Sequence, residues 1–458
     1  MSEANVIAVL IAGGGGRRMW PFATVRPKAT LPVGNRPLIS LMAERLATAG
    51  FRQVLAVVDE HGGPIRAALV DTGVEVLTER STGSAEALLA AWLRYPDATA
   101  VVVPADALVS MADLEAMREA AQAAEAEATV LIAPMGPEDP NRWIGVEAAG
   151  ESLTEVVGHP REASWRWSGV CALAPGFRRF VEANPGLLEN VPVGGMPAPE
   201  ADLSSSVALA LEKGVPVRAL RSQRGFVDLD KPWHILEANR LYAGECFEGV
   251  EGVSVAGGAT VSDAAEVEGR LIVAEGATVG PRVRIRGDVY VGPGAVVDNG
   301  AILQGTVLVG AGARVSDYCQ VSQAVVGAKC VVGHGAEFTG VLFTGTYLYH
   351  YCEIYGVLGA AVDIGAASVC GTLRFDDGDR THRVAGAWER PATGANASYL
   401  GDYTRTGVNA ILMPGVKVGA YSCIGPGVVL YDDVPDRSLV LVKQELERRS
   451  WGPEKYGW

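Results

Sequence analysis

The chain has 458 residues, 48% of them apolar and 20% charged, which is enough for two or three domains with proper cores. A formal charge of −14 and a pI near 5.0 make a field that repels nucleic acid and anionic membranes, and no apolar run reaches the roughly 18 residues of a membrane span. Seven scattered cysteines without C-x-x-C spacing indicate neither a zinc site nor a disulfide framework, so the composition predicts a cytoplasmic globular protein with buried thiols.

The first predicted strand is VIAVLI, residues 6–11, and a loop of four glycines with Arg17 and Arg18 follows it directly. Further strands are predicted at QVLAVVD (53–59), GVEVLT (73–78), TAVVVPAD (99–106) and ATVLIAP (128–134). Between them lie the helical stretches ISLMAERLATAG, SAEALLAAWLRY and MADLEAMREAAQAAEAEA. Strand and helix alternate, and the strands are apolar on both faces, which predicts a parallel sheet covered by helices. Ligands of such sheets sit at the carboxyl ends of the strands, where the glycine loop and Asp106 fall.

From about residue 250 the pattern changes to Gly, Val, Ala and Ile. Val255, Val261, Val267, Val273, Val279, Ile285, Val291, Val297, Leu303, Val309, Val315 and Val321 recur every six residues. The frame slips by one at Val326 and resumes at Leu412, Val418, Ile424 and Leu430. An aliphatic period of six is the hexapeptide signature of a parallel β-helix. Residues 343–355 and 372–406 leave the register and are expected to bulge as loops. The charged, aromatic tail after residue 434 is expected to pack along the β-helix or on a neighbouring subunit. Of the histidines, His61 and His234 read as surface or helix residues and His334 as a coil turn.

The backbone amides of a glycine loop opening toward a helix can surround phosphate oxygens, because no Cβ blocks the approach. Arg18 adds a forked donor, Lys28 adds a point charge, and Pro27 restricts the chain just before it. Asp106 and Asp228 bring carboxylates to the same edge, a combination suited to nucleotidyl transfer.

The segment IAGGGGRRMWPFATVRPKATLPVGNRPLI resembles the signature of the sugar-1-phosphate nucleotidylyltransferases almost end to end. The segments STGSAEAL (81–88), PADAL (104–108), RWIGV (142–146), EADL (200–203) and FVDLDKPWHILEANR (226–240) resemble that family's later markers, in order. The resemblance implies a Rossmann-like α/β nucleotidyltransferase domain over residues 1–245. It implies a nucleotide bound at Gly13, Gly14, Gly15, Gly16 and Gly83, with UTP or dTTP favoured. It further implies a sugar 1-phosphate at Gly145, His159 and Glu200, Mg²⁺ at Asp106 and Asp228, and catalysis by Arg18 and Lys28. Gly158 and His159 stand where the family has a glutamate and a lysine.

Followed by a left-handed β-helix over residues 250–458, the whole chain is similar to the bifunctional, archaeal-type uridylyltransferase/acetyltransferase family. The residues carrying this likeness include GTLRFDD (371–377), the run from Gly401 to Pro435 and LVLVKQ (439–444). That likeness implies a homotrimer built through the β-helix, acetyl-CoA as co-substrate and His350 as the base for acetyl transfer, although the motif around His350 departs from the family pattern. A non-catalytic sugar-nucleotide sensor or scaffold of the same architecture is the alternative reading.

Overall fold

The computed structural model describes residues 5–455 except 15, 61, 80–82, 124, 159, 185, 187–200 and 224. The first half folds around one nine-stranded sheet, ordered Glu75–Thr78, Val54–Val58, Val6–Ala12, Thr99–Pro104, Trp165–Leu173, Ala128–Pro134, Val217–Arg221, Ser152–Gly158 and Ile144–Ala149. The helices Leu38–Thr48, Ser84–Arg94 and Met111–Ala123 form on the predicted stretches.

The first four strands in that order run parallel, as the apolar runs predict. The sheet as a whole is mixed, however, because Trp165–Leu173 inserts antiparallel between Thr99–Pro104 and Ala128–Pro134. Its sequence WRWSGVCAL carries no clean periodicity that announces this position. Val6–Ala12 lies between Val54–Val58, which follows it in the chain, and Thr99–Pro104, which comes later. The connections therefore diverge at the end of the first strand, and a crevice opens there.

After the helix His234–Glu245 the chain enters the β-helix at Val253–Val255. Ile285 pairs with Leu303 and Leu303 with Val321, so one full coil consumes three hexapeptides. Side chains from Leu271 to Val434, mostly aliphatic, stack inside as a buried apolar ladder. The next coils are trimmed: Val321 pairs with Phe338, and Phe338 with Ile354, each coil shorter than the one before. The segment expected to bulge at 343–355 therefore stays in the stack, and its strand Tyr347–Leu348 pairs on both sides with Val331–Val332 and Asp363–Ile364. It broke the six-residue register because its coil is shorter.

The second interruption, expected over 372–406, leaves the stack only in its first part, because Ser398–Leu400 and Arg405–Thr406 pair with the coils. Val369 pairs with Ile411, more than two coil lengths further along the chain, and the excess includes a hairpin of His382–Val384 against Ala387–Glu389. The strand Ser398–Leu400 then rejoins the sheet beside Gly356–Leu358.

The two halves share a core. The buried set that holds Leu10, Met42, Leu108, Trp233 and Ile235 continues through Leu308, Val325, Val341, Phe343, Val357 and Tyr399 of the β-helix. The helix His234–Glu245 and the signature segment lie against that face. Residues 441–450 are exposed, although Leu441 lies against the coil at Gly425, where a Cβ would meet its Cδ2 at 2.7 Å. Five of the thiols are buried, Cys246 is half-buried and Cys423 is exposed, the last against expectation. Among the described residues no helix is long and apolar enough to cross a membrane.

Candidate active site

Beyond Ala12 the chain must turn sharply, and Gly14 at φ +100° does this at no steric cost. A Cβ on Gly13 or Gly14 would meet nothing within 4 Å, so the loop faces open space. Gly16 is different: at φ +57°, a Cβ there would come within 3.0 Å of Lys28 Cγ, so this glycine lets the loop lie on the lysine stem. One 3₁₀ turn, Arg17–Met19, buries Met19 and leaves Arg18 half-exposed. Pro27 is extended and the turn Lys28–Thr30 follows, which directs the ammonium back under the glycine loop.

Asp106 sits just past the strand Thr99–Pro104, whose neighbour is the first strand, with Ala105 N donating to Ile11 O at 2.9 Å. Asp228 ends the short strand Phe226–Asp228 and pairs in register with Ala107, while Leu229 N donates to Asp106 O at 2.9 Å. Lys28 Nζ lies 2.8 Å from Asp106 Oδ2 and 3.7 Å from Asp230 Oδ1, and Arg18 Nε lies 3.1 Å from the same Asp230 oxygen.

The structure thus brings Arg18, Lys28, Asp106 and Asp228 to one crevice and adds Asp230, only 4% exposed, which sequence reasoning missed. The signal was present in DLD, residues 228–230, where two carboxylates sit two apart; the first alone drew notice.

Three carboxylates face two cations, and the balance of burial and charge shifts Lys28 and Asp228. Burial works against the charge on Lys28, but Asp106, Asp228 and Asp230 outweigh it and push its pKa well above the ordinary value. Burial, reinforced by the like charges of Asp106 and Asp230, pushes Asp228 up to about 6, against the opposing pull of Lys28.

A buried ionic cluster braces the Asp228–Asp230 loop from behind. Lys231, 1% exposed, reaches Glu138 at 3.2 Å and Glu389 of the hairpin at 2.8 Å. His234, read as a surface or helix residue, opens the helix His234–Glu245 but is only 3% exposed: its Nδ1 accepts from Asp230 N and Lys231 N at 3.1 and 3.2 Å, and its Nε2 faces Glu138 at 3.0 Å. Burial opposes ionisation of Glu138, but hydrogen bonds from His234 and Trp233 and the charge of Lys231 hold it far below the usual carboxylate range. Trp143 of RWIGV lies over this cluster, its ring 4.9 Å from Lys231 Nζ and 4.3 Å from the Arg166 guanidinium.

Gly83, Gly145 and His350 make contacts of their own, and three further predicted residues fall outside the described residues. Gly83 precedes the helix Ser84–Arg94, where a Cβ would meet Ala201 O at 2.3 Å; Ser84 also bonds Asp202 at 2.8 Å, so the segments at 83 and 201 form one wall. Gly145 packs on Pro160, where a Cβ would approach its ring to 2.5 Å. Gly15, His159 and Glu200 lie outside the described residues. His350 occupies an exposed coil corner, its ring edge-on to Tyr351 at 5.4 Å, with no side-chain hydrogen bond among the described residues.

Residues 7–160 match the family model described as nucleotidyl transferase. Residues 267–371 match a GMPPB C-terminal domain, and residues 397–432 match six repeats of the bacterial transferase hexapeptide. A protein of Sulfurisphaera tokodaii named bifunctional sugar-1-phosphate nucleotidylyltransferase/acetyltransferase is 23% identical over 436 residues, covering 93% of this chain and 98% of that one. A Methanococcus maripaludis protein named bifunctional protein GlmU is 24% identical over 452 residues, covering 96% and 98%.

Proposed function

We propose that this chain, a nucleotidyl transferase domain joined to a hexapeptide β-helix, transfers a nucleotidyl group from a nucleoside triphosphate to a sugar 1-phosphate and releases pyrophosphate. An oxygen of the sugar phosphate attacks the α-phosphorus in line as the bond to the β-phosphate oxygen breaks. Positioning and charge neutralisation then carry the catalysis. The observation that carries this reading is the meeting of Lys28 with Asp106 and Asp230 beside an open glycine loop.

In this role the amides of the glycine loop hold phosphate oxygens at the end of the first strand. Lys28, locked in its charged form, and Arg18, reaching in from solvent, neutralise the triphosphate and the leaving pyrophosphate. The residues present fit Mg²⁺. Three carboxylates outnumber two cations, so a polyphosphate entering here needs a further positive charge. Among the described residues no complete protein cage of three ligating side chains forms, which suits an ion that takes part of its shell from phosphate and water. Asp106 and Asp228 would hold it, and it would supply charge neutralisation and alignment of the phosphates.

The test is a pyrophosphate-release screen of nucleoside triphosphates against sugar 1-phosphates with Mg²⁺, with Asp106→Ala as control. Release with at least one pair, UTP or dTTP foremost, and its loss in the variant are expected. Silence from the folded protein across the panel would return the sensor or scaffold reading.

The proposal extends to the β-helix, as a homotrimer that transfers acetyl from acetyl-CoA to an amino-sugar phosphate. The exposed ring of His350 supports the transfer, and the uncovered tail, with Leu441 and Leu446 at 64% and 73% exposure, supports the assembly. Free thiol should appear with acetyl-CoA and acceptor and fall in His350→Ala; equal release would remove His350. Sedimentation should give three copies, and a monomer would remove the trimer.

A further inference from the structure

The two cations of the proposed site, Arg18 and Lys28, are joined by residues 19–27, and that connecting segment is held by the other domain. Trp20 Nε1 donates to Asp436 Oδ1 at 3.1 Å and Thr24 Oγ1 to Asp436 Oδ2 at 3.2 Å. Arg26 forms an ion pair with Asp402, whose side chain is 2% exposed. Among the described residues, every side-chain hydrogen bond given by Trp20, Thr24 and Arg26 goes to the β-helix.

The apolar contacts agree. Phe22, fully buried, meets Phe343 at 5.5 Å between ring centroids, and the Arg26 guanidinium lies 5.4 Å from the same ring. Lys417 Nζ stands 5.2 Å from the centre of the Trp20 ring, while also bonding Arg383 O of the hairpin at 2.8 Å. Gly401 allows the approach, since a Cβ there would come within 2.9 Å of Pro21 O.

The acceptors are themselves immobilised. Asp402 Oδ1 takes the Ala360 amide at 3.0 Å and Asp436 Oδ1 the Ala420 amide at 2.8 Å, so each carboxylate is tied to the coil backbone. A loop with little regular structure of its own is thereby clamped between rigid coils.

We infer that Asp402 and Asp436 are positioning residues for nucleotidyl transfer, setting where Arg18 and Lys28 stand, so that the β-helix is a structural part of the first domain's site. This rests on the function proposed above. Neither residue touches the reacting atoms; each acts through the 19–27 segment.

The experiment uses the full-length chain with Asp402→Asn, with Thr24→Val, which removes one bond to Asp436, and with Trp20→Phe, which removes the other together with part of the ring that faces Lys417. Two readouts are taken: hydrogen exchange over residues 17–30 and steady-state pyrophosphate release. The expected result is a fivefold or greater rise in exchange at 17–30, with the strand Val6–Ala12 unchanged. It comes with a tenfold or greater fall in kcat and a raised KM for the nucleoside triphosphate. The double variant Arg26→Gln/Asp402→Asn, which replaces the ion pair by a neutral hydrogen-bonded pair, should recover part of the loss of Asp402→Asn. Exchange and kcat within twofold of the parent in every variant would overturn the inference. A parent that releases no pyrophosphate with any substrate pair defeats the functional reading instead, and exchange at 17–30 then decides alone whether the clamp exists.

Discussion

Lys231 of the first domain and Glu389 of the inserted hairpin pair at 2.8 Å, with side chains 2% and 8% exposed. The contact crosses the domain boundary one residue from Asp230, so it couples the hairpin to the loop that carries two of the site's carboxylates. Removing one partner of a buried pair strands the other charge. Lys231 keeps Glu138, which limits the damage. Glu389→Ala should therefore cost about 3 kcal/mol, at the low end for a broken buried pair, and Glu389→Gln clearly less. A urea titration of both variants against the parent measures the difference.

Lys28 is held charged by three carboxylates and sits under the glycine loop, whereas Arg18 is half-exposed. Lys28→Met should lower kcat/KM for pyrophosphate release by about 100-fold or more, the scale of losing one preorganised electrostatic partner. Arg18→Met should cost less. Equal, small effects in both would dissociate this crevice from the chemistry.

His382 carries a pH dependence with a defined sign. Burial, helped by the charges of Lys417 and Arg380 and opposed by a hydrogen bond to Ala395 O and by Asp433, holds its pKa down at about 4. A group whose folded pKa lies below its unfolded value near 6.5 stabilises the neutral folded state fully above that value, and this contribution is lost as pH falls toward 4. The loss reaches about 3 kcal/mol at most. His382 packs against Trp233 at 5.4 Å, so the hairpin should loosen from the first domain within that window. Melting temperatures from pH 7 to 4.5 should fall more steeply in the parent than in His382→Gln.

Gly340 sits at φ +124°, and a Cβ there would come within 2.0 Å of Gly356 O on the next coil. Only glycine permits this approach, at the point where the coils are trimmed most. Gly340→Ala should destabilise the β-helix by more than about 2 kcal/mol. Gly345→Ala, with open space around it but φ +74°, is the control for conformational strain alone and should cost less. Denaturant midpoints compare the two.

The amino-acid sequence alone determined the elements whose cause is local. Six-residue aliphatic spacing can bury a ladder only in a parallel coil, and strands apolar on both faces need helices on each side. The glycine loop, Arg18, Lys28, Asp106 and Asp228 were legible for the same reason: their residue types and order carry the signature wherever the chain goes. Tertiary structure alone decided what depends on distant partners. Asp230 joins the crevice because pairing of Phe226–Asp228 with Ala107–Val109 brings its loop to Lys28. Residues 343–355 stay in the stack because a shortened coil still finds neighbours above and below, which a six-residue count cannot anticipate. The docking of the signature segment on Asp402 and Asp436 joins residues hundreds of positions apart, and no local pattern encodes which charge will find which across that separation.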